Sequence, residues 1–230
     1  MAYTILKPQQ NRPVRGVLFD MDGLVLDSER LYTRFWREAA RELGYPMTHE
    51  LALGMRSLNK VRGQQYLEQC FGPGIDYETV RTVRIRRMDA WISTHGVTAK
   101  PGIVPLLDYL DAHNIPCALA TSSAPDRVQQ YLTPLGLYDR FTARCSSCQV
   151  AHGKPDPDIY LYAASRIQVD PQECLALEDS PAGIESAFRA GCLPVVIPDQ
   201  DQPGGETLQR SFATADSLAD ICNLLEMLNA

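Results

Sequence analysis

Asp20 and Asp22 follow the apolar run Val17-Leu18-Phe19 with a single residue between them, and Gly23 comes next. On an extended backbone, alternate side chains fall on the same side, so these two carboxylates repel each other unless a cation or a proton intervenes. Asp and Gly also form ordinary turns, and the spacing alone admits one. Three further polar groups stand at comparable places. Thr121-Ser122-Ser123 follows the apolar run ending at Ala120, Glu178-Asp179-Ser180 follows Cys174-Leu-Ala-Leu177, and Lys154 lies in Gly153-Lys154-Pro155 ahead of a helical pattern. Each has a structural explanation by itself: hydroxyls and carboxylates cap helices, and a lysine decorates a surface. Together they place carboxylates, hydroxyls and one lysine at the ends of successive strands. Clustered oxygen ligands without His or Cys suit a hard cation such as Mg²⁺. Hydroxyls and helix-start N–H groups would cradle phosphate oxygens, and Lys154 would offset their charge. The implied reaction is phosphoryl transfer to a carboxylate.

The elements that must position these groups follow from hydrophobic periodicity. A strand is expected over 14–19. After it the pattern turns helical: Leu31, Phe35, Ala39 and Leu43 repeat every four residues up to Gly44, and further helices are expected near 48–55, 58–70 and 77–94. On the last of these, Val80, Arg84, Met88 and Trp91 share a face. From Pro101 onward helices and strands alternate: helix 103–113, strand 115–120, helix 125–135, strand 141–145, helix 157–167, strand 174–178, helix 181–190, strand 194–198 and helix 215–228. Short apolar strands alternating with helices predict an α/β fold, a doubly wound parallel sheet covered on both faces. In such sheets ligands bind beyond the carboxyl ends of the strands, where the polar groups above are expected. A core of 1–28 and 97–230 with a helical insertion at 29–96 is the expected organisation.

The chain has 230 residues, is 45% hydrophobic and carries a net charge of −6. Residues 30–95 hold 11 Lys and Arg against 7 Asp and Glu, while the remainder is strongly acidic. An acidic balance disfavours a nucleic-acid partner, and the basic segment could steer a small anion. No apolar run reaches the roughly 18–20 residues that span a bilayer, and the N-terminal apolar stretch is short for a signal peptide, so no membrane partner is expected and the cytoplasm is the expected location. Most of the seven cysteines lie in apolar runs and are expected to be reduced and buried. Cys145 and Cys148 lack the second pair that a zinc site requires.

Four stretches carry a family resemblance. FDMDGLVLDSE, ALATSS, HGKPDPDIY and LEDSPAGIESA resemble, in order, the four motifs of the haloacid dehalogenase superfamily, in the subgroup with a helical cap inserted after the first motif. The resemblance spans nearly the whole chain and implies a Rossmann-like core with an α-helical cap, and a Mg²⁺-dependent phosphatase. It implies Asp20 as the nucleophile that forms an aspartyl-phosphate and Asp22 as general acid and then base. It also implies a cation held by Asp20, the backbone carbonyl of Asp22 and Asp179 with Glu178 in or near the shell, and phosphate bound by Thr121 and Lys154 with Ser122 and Ser123 in the adjoining loop. A cap of this kind closes over its site, with hinges expected near 27–30 and 95–101. Arg56 is the first candidate to contact the distal part of the substrate, a small phosphorylated metabolite. Asp22 disfavours the dehalogenases and phosphonate-cleaving members, which lack an acid there.

Within the superfamily the chain resembles the β-phosphoglucomutase-like branch, which also contains sugar-phosphate phosphatases and pseudouridine-5′-phosphatases. Tyr32 stands where the mutases carry a His, and Leu53 rather than Lys precedes Gly54. Both favour hydrolysis, and the sugar-phosphate mutase is the alternative. Cys148-Gln149-Val150 departs from a stretch that is commonly acidic in relatives.

Overall fold

The computed structural model describes residues 3–8, 12–56, 58 and 60–230. The chain divides into two compact units, one formed by Met1–Leu26 with Thr98–Ala230 and the other by Asp27–Val97.

The first unit is built on a seven-stranded sheet. Its strands are β1 (Tyr3–Ile5), β2 (Gly16–Phe19), β3 (Cys117–Thr121), β4 (Ala143–Ser146), β5 (Cys174–Glu178), β6 (Leu193–Val196) and β7 (Ala213–Ala215), in spatial order β1-β7-β6-β5-β2-β3-β4. All pairings are parallel except β1 with β7. The predicted doubly wound α/β sheet is therefore the observed one. β2, β3 and β5 are buried at every position, as befits strands covered on both faces. The chain fills one side of β2 with β3 and β4, then crosses to the other with β5. This reversal at β2 opens a crevice beyond the carboxyl ends of β5, β2 and β3.

Among the described residues, six α-helices accompany the sheet: α5 (Ile103–Ala112), α6 (Pro125–Leu132), α7 (Asp158–Arg166), α8 (Pro181–Arg189), α9 (Gly205–Arg210) and α10 (Asp220–Asn229). Tyr160, Ala163 and Ala164 of α7 pack with Leu18, Ala118 and Ala176 of the sheet in one apolar cluster.

Several expectations need correction. The helix expected over 125–135 stops at Leu132 and continues as a 3-10 turn through Leu135, because Pro134 has no N–H to extend the α ladder. Where a helix was expected from 215, β7 ends at Ala215 and α10 starts only at Asp220. Strands β1 and β7 and helix α9 were not expected. The two strands have three residues each; Tyr3 pairs with Ala215 and Ile5 with Ala213, far apart in the chain, and β7 is held on its other side by β6.

The regular elements of the second unit, among the described residues, are helices: α1 (Glu29–Glu42), α2 (His49–Leu53), α3 (Lys60–Phe71) and α4 (Tyr77–His95). Residue 59 of the helix expected over 58–70 lies outside the described residues. Trp36, Ala39, Ala40, Met47, Leu67, Tyr77 and Val80 form its core. The Asp76 side chain caps α4 by accepting from the Thr79 N–H at 2.7 Å. Gln64 pins the turn before it, donating to the Ile75 carbonyl and accepting from the Tyr77 N–H, both at 2.8 Å. Arg84 is buried on the apolar face of α4, with its guanidinium 4.9 Å from the centre of the Tyr32 ring and 5.2 Å from that of Trp36.

Candidate active site

Asp20 is the first residue after β2, Thr121 ends β3, and Glu178 ends β5. Because these strands are parallel neighbours, all three side chains belong to one edge of the sheet. Lys154 arrives from the loop before α7. Its ammonium bridges two carboxylates, donating to Asp20 Oδ1 and, at 2.6 Å, to Glu178 Oε1. The lysine side chain is only 7% exposed and Glu178 is wholly buried, so the bridge is shielded from water.

Glu178 is the most heavily engaged of these groups. Besides Lys154, its Oε1 accepts from the Tyr160 hydroxyl at 2.8 Å. Its Oε2 accepts from the N–H groups of Asp179 and Ser180, each at 3.2 Å, and from Ser180 Oγ at 3.0 Å. Ser180 in turn caps α8 by accepting from the Gly183 N–H. Five donors satisfy one buried carboxylate, as a charge in an apolar setting requires.

Burial pushes the Asp20 carboxyl up to about 8, even though the adjacent Lys154 charge pulls it down. For Lys154, burial alone would favour the neutral amine, but Asp20 and Glu178 outweigh it and hold the group above the ordinary lysine value. The Tyr160 hydroxyl is raised by burial and by the Glu178 charge, so it remains a donor. One ammonium therefore serves two buried carboxylates. Ligand oxygens of Asp20, Glu178 and Asp179 also fall within 4.8 Å of one another. That set of carboxylate oxygens, without His or Cys, fits a divalent hard cation such as Mg²⁺.

Asp22 belongs to a second cluster. Ser123 Oγ donates to Asp22 Oδ2 at 2.7 Å, and the Ser123 N–H donates to Thr121 Oγ1 at 3.0 Å. Ser122 is exposed in the same loop, and its carbonyl accepts from Ser147 Oγ at 3.2 Å. Arg56 lies in the helical unit, where its Nε faces Glu29 Oε2 at 3.2 Å with both side chains largely covered.

Three residues beyond those expected from the sequence contribute. Tyr160 holds Glu178 from α7, and its place in HGKPDPDIY was the only signal. Gly183 packs so closely that a Cβ added to it would overlap the Glu178 carboxylate. Ser146, at the end of β4, donates through Oγ to the Ser123 carbonyl at 2.7 Å. The Cys148-Gln149-Val150 departure also acquires a physical account. Ser146 and Gln149 form a reciprocal cap for the 3-10 turn Ser147–Gln149, with Gln149 Oε1 accepting from the Ser146 N–H at 2.8 Å.

All seven cysteines are free; Cys117, Cys145, Cys174 and Cys192 are buried, Cys70 and Cys222 are half-buried and Cys148 is exposed. Among the described residues no helix is long and apolar enough to cross a membrane.

Residues 14–191 match the family of haloacid dehalogenase-like hydrolases. The chain is 34% identical over 215 residues to a Drosophila melanogaster protein named as a probable pseudouridine-5′-phosphatase, covering 91% of this chain and 92% of that one. Against hexitol phosphatase A of Escherichia coli (strain K12) it is 32% identical over 187 residues, covering 80% and 82%. A crystal structure of a putative β-phosphoglucomutase from Thermotoga maritima is similar with a TM-score of 0.75 at 27% identity, covering 93% of this chain and 99% of that one. These likenesses bear out the resemblance carried by the four motifs.

Proposed function

Because this chain belongs to the haloacid dehalogenase-like hydrolases, we propose that it is a Mg²⁺-dependent phosphatase of small phosphorylated metabolites, sugar phosphates or nucleotide-like monoesters such as pseudouridine 5′-phosphate. The observation that carries this reading is the Lys154 bridge between Asp20 and Glu178. It holds a carboxylate nucleophile beside a fixed positive charge at the sheet's switch point.

In the first half of the reaction an Asp20 oxygen attacks phosphorus and the ester P–O bond breaks. Asp22 gives its proton to the departing alkoxide. In the second half Asp22 takes a proton from water, whose oxygen attacks phosphorus, and the Asp20–phosphorus bond breaks to release inorganic phosphate. Both residues then stand as they began. Lys154 and Thr121 bind phosphate oxygens, with Ser122 and Ser123 lining the loop. When bound by Asp20, the Asp22 backbone carbonyl and Asp179, Mg²⁺ would neutralise phosphate charge. Glu178, already engaged by five donors, would lie in or near that shell and holds Lys154 in place.

We assign the catalytic core to 1–28 and 97–230 and substrate selection to the helical unit 29–96, with Arg56 contacting the distal part of the substrate. The enzyme acts in the cytoplasm on free metabolites, without nucleic acid or membrane. The second reading is a sugar-phosphate mutase, favoured by the Thermotoga maritima neighbour's name. Tyr32, placed under Arg84, stands against it.

The test is phosphate release from a panel of sugar phosphates, polyol phosphates and nucleotides with Mg²⁺. Turnover is expected to vanish with EDTA and in Asp20→Asn. Undiminished turnover in Asp20→Asn overturns the mechanism, and rearrangement without net phosphate release selects the mutase.

A further inference from the structure

We propose that Ser146 is a positioning residue for Asp22, acting through Ser123; the inference rests on the reading of Asp22 as general acid. Ser123 stands in the loop between β3 and α6, where no helix or sheet ladder holds its backbone. Three hydrogen bonds hold it instead. Its N–H donates to Thr121 Oγ1 at 3.0 Å, its carbonyl accepts from Ser146 Oγ at 2.7 Å, and its own hydroxyl donates to Asp22 Oδ2 at 2.7 Å.

The anchor is well built for that purpose. Ser146 is 1% exposed and is paired directly with Thr121 in the β3–β4 register. Its Oγ also accepts from the Cys148 N–H at 3.3 Å, and its N–H is taken by Gln149, so the hydroxyl proton is directed to Ser123. A loop residue fixed at both its N–H and its carbonyl has a fixed Cα–Cβ direction. The Ser123 hydroxyl therefore reaches Asp22 in one orientation and at little further entropic cost. A proton donor to a leaving group needs that fixed geometry, because general acid catalysis depends on hydrogen-bond reach. Strand β4, at the edge of the sheet, thus sets the aim of a carboxylate on the other side of β3.

The discriminating property is dependence on the leaving group. An alkoxide needs the proton from Asp22, whereas p-nitrophenolate leaves with little help. The value of kcat/KM, which reports steps through departure of the leaving group, is measured for p-nitrophenyl phosphate and for an alkyl phosphate that the protein turns over. Ser146→Ala is expected to lower the alkyl value about tenfold and the aryl value less than twofold, as a fraction of what the general acid supplies. Ser146→Thr, which keeps the hydroxyl, is expected to recover most of the loss. Since the effect passes through Ser123, Ser146→Ala added to Ser123→Ala is expected to cost less than twofold more. Equal losses on both substrates, or additivity with Ser123→Ala, overturn the inference and leave Ser146 as a cap of the 3-10 turn. Asp22→Asn separates the two levels. If it shows the leaving-group dependence and Ser146→Ala does not, only the inference fails; if neither shows it, the reading of Asp22 fails and takes the inference with it.

Discussion

Gly183, in the first turn of α8, lies against the carboxylate of Glu178 with no room for a Cβ between them. The carboxylate has nowhere to retreat, since Lys154, Tyr160, Asp179 and Ser180 all donate to it. Gly183→Ala must therefore displace either the helix start or the Lys154 bridge. Overpacking of this kind costs about 3 kcal/mol, or about 6 °C or more in Tm for a chain of this size. Thermal unfolding and phosphatase kinetics are expected to show a lower Tm and a fall in kcat together. A variant as stable and active as the parent would show that this packing is unimportant.

Lys154 and Tyr160 both donate to Glu178 Oε1, but their removal differs in kind. Lys154→Met leaves two buried carboxylates without their shared positive charge. The expected cost is about 3–5 kcal/mol of stability, with loss of at least about a hundredfold in kcat/KM. Tyr160→Phe removes one of five donors and keeps the ring, so about 1 kcal/mol and a small loss of activity are expected. Denaturant unfolding and steady-state kinetics of the two variants check this ranking.

Arg56 is held by Glu29 within the helical unit. If it reads the substrate, Arg56→Ala raises KM for the preferred metabolite about fivefold or more while kcat for p-nitrophenyl phosphate changes less than twofold. Glu29→Gln breaks the same pair but keeps the guanidinium, and its KM is expected to stay near the parent value. Matching KM values in the two variants would confine Arg56 to a structural role.

Burial raises the thiols of Cys117 and Cys174 to about 12 and that of Cys145 to about 11, and it raises Cys192 in the same direction. A raised value keeps the unreactive thiol form at every pH below it, so these four stay protonated from pH 7 to 9. Iodoacetamide is expected to label exposed Cys148 at least about tenfold faster than any of them, as read by peptide mass spectrometry. Early labelling of a buried cysteine would contradict the packing around β3–β6.

Much of the site could be read locally. Asp20, Thr121 and Glu178 each close an apolar run, and the run marks a buried parallel strand while its polar end marks the carboxyl edge. The end of α1 was legible for the same reason, since Gly44 acts on its own backbone, whereas the stop before Pro134 was overlooked. Strands β1 and β7 were not legible. Three residues carry too little periodicity to be noticed, and their pairing with each other runs across more than 200 positions of sequence. Arg84 read as one member of an apolar face; that a guanidinium can be buried there depends on the rings of Tyr32 and Trp36.

By itself the sequence determined which groups could do chemistry and at which end of the sheet they belong, because strand periodicity and polar termini are properties of adjacent residues. Only the tertiary structure decided how those groups are shared. It gave Lys154 to both Asp20 and Glu178, bound Asp22 to Ser123, and made Ser146 and Gly183 matter at all. Those outcomes follow from strand order and from distances of about 3 Å between residues far apart in the chain, and neither is written in any local pattern.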